Sequence, residues 1–166
     1  MRLAPRRLKS ALPALVMLAS VLAAIAFYLS GTDSGMVELV ARWTAQWSAT
    51  LLMAFGIETM VDGTVITGNR FAVRVVAECT AIAPFILFSG AVIAYPAGLR
   101  VKVYGILLGL LSLTALNIVR IASLFWIGLN SPHMLDIAHL VVWQSLMAIA
   151  AISLWLWWVG RLKHDR

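Results

Sequence analysis

Apolar positions along this chain come in long unbroken runs, and the polar positions gather between them. Four runs stand out: Ala11 to Ser30, Ala81 to Tyr95, Val103 to Gly128 and Ile137 to Val159. A helix needs roughly 20 mostly apolar residues to cross a bilayer, so the pattern predicts about four transmembrane helices. The second run is short and must recruit residues at its ends or tilt little.

Residues 31–78, between the first two runs, carry a different pattern. Val37, Val40, Ala41, Trp43, Trp47, Leu51 and Leu52 recur at spacings near three and four, with Glu38, Arg42 and Gln46 between them. That is an amphipathic helix, and its tryptophans suit a membrane interface. Beyond it, Asp62-Gly63 and Gly68-Asn69 are turn dipeptides with β-branched residues in the intervals. They predict a short β-hairpin ending at Cys79. Such a hairpin either caps the bundle or pairs with an extended substrate by strand addition. The fold class expected is an all-α membrane protein with one integral domain over residues 1–166, four spans, an outer amphipathic helix and a short β-hairpin.

Composition agrees with a membrane class. The chain is 62% hydrophobic and only 12% charged, with a mean hydropathy of +0.93, far too apolar for an ordinary soluble domain. A net charge of +6 raises nucleic acid as a partner, but the charges flank the spans, which points to lipid and excludes that reading. Arg2, Arg6, Arg7 and Lys9 precede the first run, Arg100 and Lys102 separate the second and third, and Arg161, Lys163 and Arg166 follow the fourth. By the positive-inside rule all three groups, and both termini, are cytoplasmic. The outer connections, 31–78 and 129–136, are on balance acidic: Asp33, Glu38, Glu58, Asp62, Glu78 and Asp136 against Arg42, Arg70 and Arg74. A cleavable signal peptide shares the layout of a basic segment before an apolar run, but the first run is longer than a usual signal core, which favours a retained span.

Three polar residues carry the candidate chemistry. Cys79, the only cysteine, lies at the outer mouth of the second span, Arg120 about two turns before the outer end of the third, and His139 in the first turn of the fourth. All three converge near the outer interface. An arginine in an apolar span costs about 2.5 to 3.5 kcal/mol at the centre and usually faces a bundle interior or a cavity; the bland alternative is snorkelling to the headgroups. Asn117, one turn earlier on the same face, is placed to orient the guanidinium.

For Cys79 the bland reading is a small buried hydrophobe. A lone cysteine excludes a disulfide within the chain. Thr80 is expected to cap the helix that follows, with Pro84 tolerated in its first turn, which puts the thiol at a helix N-terminus that favours an anion. Glu78 opposes this if it is close. Ser131-Pro132 is a good helix start, and it would bring His133, Asp136 and His139 onto one face at spacings of three, with Asp136 fixing the His139 tautomer. A metal held by these three would lack a further acidic or cysteine ligand in reach.

Ala77-Glu78-Cys79-Thr80-Ala81-Ile82, then Asn117-Ile118-Val119-Arg120-Ile121, then Ile137-Ala138-His139-Leu140 together resemble the exosortase/archaeosortase family of membrane transpeptidases. The order Cys, Arg, His, each in its own span, carries the resemblance, which covers roughly Val61 to Val159. The chain lacks several N-terminal spans of longer members and reads Thr-Ala-Ile after the cysteine where Ser-Gly-Ile is commoner; it looks most like the short branch, similar to exosortase H. The resemblance implies an enzyme of the bacterial inner membrane, its site facing outward. Its substrates would be exported proteins ending in a recognition motif, a transmembrane helix and a basic tail. It further implies that Cys79 attacks the scissile carbonyl to give a thioester, that His139 is general base and acid, and that Arg120 stabilises the oxyanion or the thiolate. An unidentified acceptor would release the product.

Elsewhere, Gly105 and Gly109 form a G-x-x-x-G that permits close approach of a helix of this chain or of a substrate. Trp155, Trp157 and Trp158 read as an interfacial anchor. Gln144 lies a turn and a half below His139, either lining the same cavity or bonding across helices. No cofactor is indicated, for there is no phosphate loop, dinucleotide fingerprint or zinc-ligand spacing. Two rival classes stand beside the enzyme: a noncatalytic assembly subunit and a small carrier. A carrier needs polar residues through its full depth, and the inner halves of the second and third spans offer almost none.

Overall fold

The computed structural model describes residues 4–29 and 35–164, with side chains over 12–27 and 35–162. The flanking charges Arg2, Arg6, Arg7, Lys9, Lys163 and Arg166, and the outer Asp33, fall outside the described side chains.

Helix α1 (Ala4–Leu29) packs along α3 (Ile82–Ala94). Ser20 seats directly on Gly90, where a Cβ would overlap its hydroxyl. Helix α2 (Gly35–Ala54) forms where the periodicity predicts, but it buries another face. Ala41, Thr44, Ala45, Ser48, Ala49 and Leu52 turn inward, while Trp43 and Trp47 are 63% and 56% exposed. Small residues let α2 approach α4 (Leu99–Asn130) closely, as helices in lipid require, and the bulky indoles are left to the surface. The helix ends in a Schellman motif: Ile57 N–H donates to Leu52 O at 3.0 Å and Gly56 N–H to Met53 O at 2.9 Å. Gly56 takes φ +77° there, a conformation that favours glycine.

The expected hairpin is a three-stranded antiparallel meander, β1 (Met60–Asp62), β2 (Val65–Thr67) and β3 (Ala72–Arg74). Two turn dipeptides make two turns, and two turns need three strands. The sheet stops short of Cys79, which lies in a separate 3-10 turn over Ala77–Cys79. Ile66, at the centre of the sheet, is fully buried and pairs with Val61 on one side and Val73 on the other.

Helix α4, at 32 residues, is about 48 Å long. After it come a 3-10 turn (Pro132–Met134), a short α5 (Leu135–Ile137), a π-helical segment (Ala138–Trp143) and α6 (Gln144–His164). Leu99–Asn130 and Pro132–Leu162 are each long and apolar enough to cross a membrane; Leu12–Phe27 and Ile82–Ala94 are apolar but shorter. Thirteen-residue α3 reaches only about 20 Å, short of a bilayer core of roughly 30 Å.

The G-x-x-x-G of α4 is filled from within the chain. Gly109 receives the ring of Phe88 from α3, and Gly105 receives Trp158, whose Nε1 lies 2.7 Å from where a Cβ would stand. The tryptophan cluster is therefore only partly an anchor. Trp158 is 2% exposed and meets Tyr95 edge-on at 5.7 Å, with Trp155 at 6.3 Å from the same ring. Trp157 alone of the three is open.

Candidate active site

Cys79 closes its 3-10 turn with its amide donating to Val76 O at 2.9 Å, and the Thr80 amide donating to Ala77 O at 3.0 Å. The Thr80 hydroxyl donates to the same Ala77 carbonyl at 2.6 Å. This corrects the expected cap. The cap position of α3 falls to Ala81, one residue later, so Thr80 stands outside the helix and α3 starts with no side-chain cap. Pro84 falls in the first turn of α3, where its missing N–H costs nothing. Glu78 points to the surface, whereas Cys79 is 6% exposed and packs with Ala45, Ala49, Leu52, Ile66, Ile121 and Phe125.

The turn is tied to α4 by one hydrogen bond. Asn117 Nδ2 donates to the Cys79 carbonyl at 2.8 Å, and Asn117 is 1% exposed. Its Oδ1 is buried without a partner. The expectation that Asn117 orients Arg120 thus gives way to a role at Cys79. The reason is local: the carbonyl that ends a one-turn helix has no intrahelical donor, and α4 supplies one.

One turn further along α4, Arg120 is 7% exposed. Its side chain faces the bundle and does not snorkel to the headgroups. The Ser123 hydroxyl donates to the Arg120 carbonyl at 2.8 Å.

His139 is half-buried and stands inside the π-helical segment. The segment that carries it packs against α4, the helix of Arg120. Asp136 itself is exposed, and no hydrogen bond among the described residues joins it to His139, so the proposed fixing of the tautomer is not realised. Between Pro132 and Trp143 the winding passes from 3-10 to α to π, and a spacing of three does not keep phase through such changes. His133 and Gln144 are exposed.

The structure thus brings Cys79 to α4 through Asn117, and packs the segment of His139 against the helix that carries Arg120. Sequence reasoning missed the π-helical segment, which no residue pattern announces; such segments are rare and frequent at functional sites. A groove of about 420 Å³ adjoins the cluster around Cys79, sharing Leu52 and Ala122 with it and bounded also by Phe55, Val119, Ser123 and Trp126.

No curated protein and no solved structure matches the chain. A family model described as transmembrane exosortase matches residues 2–156. That match spans the apolar helices, the buried Cys79 turn, Arg120 and His139 alike, and the chain belongs to the transmembrane exosortase family, membrane enzymes of the sorting transpeptidase class.

Proposed function

We propose that Cys79, Arg120 and His139 are the catalytic groups of a cysteine transpeptidase that cleaves the C-terminal sorting signal of exported proteins. The observation that supports this reading is the Asn117 hydrogen bond to Cys79 O, which ties the cysteine turn to α4, the helix that carries Arg120 and against which the His139 segment packs.

The chemistry balances as an acyl transfer. His139 takes the thiol proton, Cys79 Sγ attacks the scissile carbonyl, and Arg120 meets the negative charge that develops on its oxygen. The C–N bond then breaks, with the His139 proton passing to the leaving amine. A nucleophile on the acceptor gives its proton to His139 and displaces Sγ from the thioester, restoring the thiol. Hydrolysis is the same second step with water as acceptor.

On this reading both termini are cytoplasmic and the site faces the outer side of the bacterial inner membrane, with α1 and α3 completing four spans. The basic flanks support that orientation. Because Cys79 is buried, the substrate must displace part of its cover, and the apolar groove beside Leu52 and Ala122 offers the route for an apolar sorting segment. The same burial is what favours the second reading, a noncatalytic assembly subunit in which Cys79 only packs.

The two part on one experiment. Membranes carrying the wild type, Cys79→Ala or Cys79→Ser are supplied with an exported protein that bears a C-terminal sorting signal and tag, and tag release is followed with and without hydroxylamine. The enzyme reading expects release only by the wild type, accelerated by hydroxylamine, which intercepts a thioester. Continued release by a folded, inserted Cys79→Ala protein would sink the thiol mechanism.

A further inference from the structure

At the other end of α4 from Cys79 lies a second cavity, of about 440 Å³, between the first turn of α4 and the last turns of α6. Its chemistry is basic and aromatic: Arg100, Tyr104, Trp157, Trp158 and Arg161 line it. Arg100 and Arg120 are separated by twenty positions on one helix, or about 30 Å, which is the thickness of a bilayer core. The cavity therefore belongs to the opposite membrane face from the candidate active site.

Three features of this cavity favour an anion. Arg161 is held over the Trp157 ring at 4.9 Å, which fixes its guanidinium at little further entropic cost. The first turn of α4 carries no acidic residue and Gly98 makes no side-chain cap, so the positive end of a 32-residue helix is left open to a negative charge. Finally, among the described residues no ion pair engages Arg100 or Arg161; the carboxylate nearest Arg161 in sequence, Asp165, lies outside the described residues.

A fourth feature selects the kind of anion. Tyr104, Leu107 and Leu111 continue from Arg100 at spacings of four, three and four along α4 and are 62%, 53% and 71% exposed. They form an apolar track that leads from the cavity toward the middle of the helix. A free phosphate has no use for such a track; an acyl chain does.

We propose that this cavity binds the headgroup of an anionic phospholipid. The phosphate sits between Arg100 and Arg161, and one acyl chain lies along Tyr104, Leu107 and Leu111. Lysine at position 102 is occupied elsewhere, its Nζ donating to the Ile93 carbonyl at 2.6 Å, so the two arginines carry the recognition.

Native mass spectrometry of the full-length protein in detergent tests this, with phosphatidylglycerol and phosphatidylcholine of identical chains offered at equal concentration. The wild type is expected to retain phosphatidylglycerol in preference, by roughly fivefold for each arginine engaged. Arg100→Gln/Arg161→Gln should bring the ratio close to one, and Arg42→Gln, which removes an arginine from α2, should leave it unchanged. Equal retention of the two lipids by the wild type, or an undiminished preference in the double variant, overturns the proposal. So does loss of phosphatidylglycerol on adding an equal concentration of inorganic phosphate, which would mark a free-anion site. Should the double variant aggregate, the wild type decides through salt: the preference must fall steeply as salt rises, and its persistence at high salt rules the site out.

Discussion

The side-chain amide of Asn117 donates to the backbone carbonyl of Cys79 at 2.8 Å, across 38 residues of sequence. Both partners are buried, so this bond is made where water does not compete. It sets the height of the cysteine turn on α4, and with it the offset between Cys79 and Arg120.

Replacing Asn117 should therefore act on the position of Cys79. Asn117→Ala leaves the Cys79 carbonyl unpaired at a cost of about 1–3 kcal/mol and is expected to lower both the unfolding midpoint and processing. Asn117→Asp keeps the shape but removes the donor, so it should be no better. Processing at the wild-type rate in either folded variant would remove Asn117 from the account of the site.

In the proposed mechanism Arg120 meets the charge that develops on the substrate oxygen. Loss of one such stabilising group typically costs 10²–10³ in kcat, and Arg120→Gln is expected in that range with KM little changed. Arg120→Lys keeps a charge without the planar fork and should recover a minor part. A purely structural arginine would instead show up as lost insertion or stability, measured by detergent-resistant elution and thermal unfolding.

The π-helical segment around His139 holds one more residue per turn than an α-helix needs. Deleting Val141, which is 60% exposed, is expected to restore α winding and turn His139 relative to α6 by roughly 100°. Helix content should persist while processing falls at least tenfold. Leu140→Ala, which leaves the winding alone, is the control. Unimpaired processing by the deletion variant would show that the segment does not position His139.

Phe88 and Gly109 offer a test of packing away from the site. A Cβ at Gly109 would intrude on the Phe88 ring, so Gly109→Ala should destabilise by about 1–3 kcal/mol. Phe88→Leu in the same chain should relieve part of this, giving a coupling energy in the double-mutant cycle. Strict additivity in thermal unfolding would argue that the two helices do not meet there.

Trp43 and Trp47 face outward from α2, where an interface would hold them. Lipids brominated near the headgroup should quench tryptophan emission, and Trp43→Phe/Trp47→Phe should reduce that quenching more than quenching by lipids brominated near the chain ends. The reverse order would take α2 out of the interface.

Much of the fold is legible in the sequence because local signals act over short spans. The apolar runs gave the helices, the Gly and Asn dipeptides gave the turns of the sheet, and the single cysteine followed by Thr80-Ala81-Ile82 marked the candidate nucleophile. Where local reading erred, a distant neighbour decided. The helix period of α2 weighs tryptophan and alanine alike as apolar, and only contact with α4 distinguishes a face that fits from one that does not. Thr80 was expected to cap α3, but the helix starts one residue later, after Ala81, and the Thr80 hydroxyl donates back to the Ala77 carbonyl.

By itself the sequence determined that this is a membrane protein and where its helices lie, since long apolar runs have few alternatives to spanning or lining a bilayer. It also determined which residues are chemically unusual there: Cys79, Arg120 and His139. Tertiary structure alone decided that Asn117 serves Cys79 and not Arg120, that Gly105 and Gly109 are filled by Trp158 and Phe88, and that His139 stands on a π-helical segment. These are outcomes of packing between segments far apart in the chain, where the closest fit of side chains, and the need to pair each buried polar group, select among options that local propensity leaves equal.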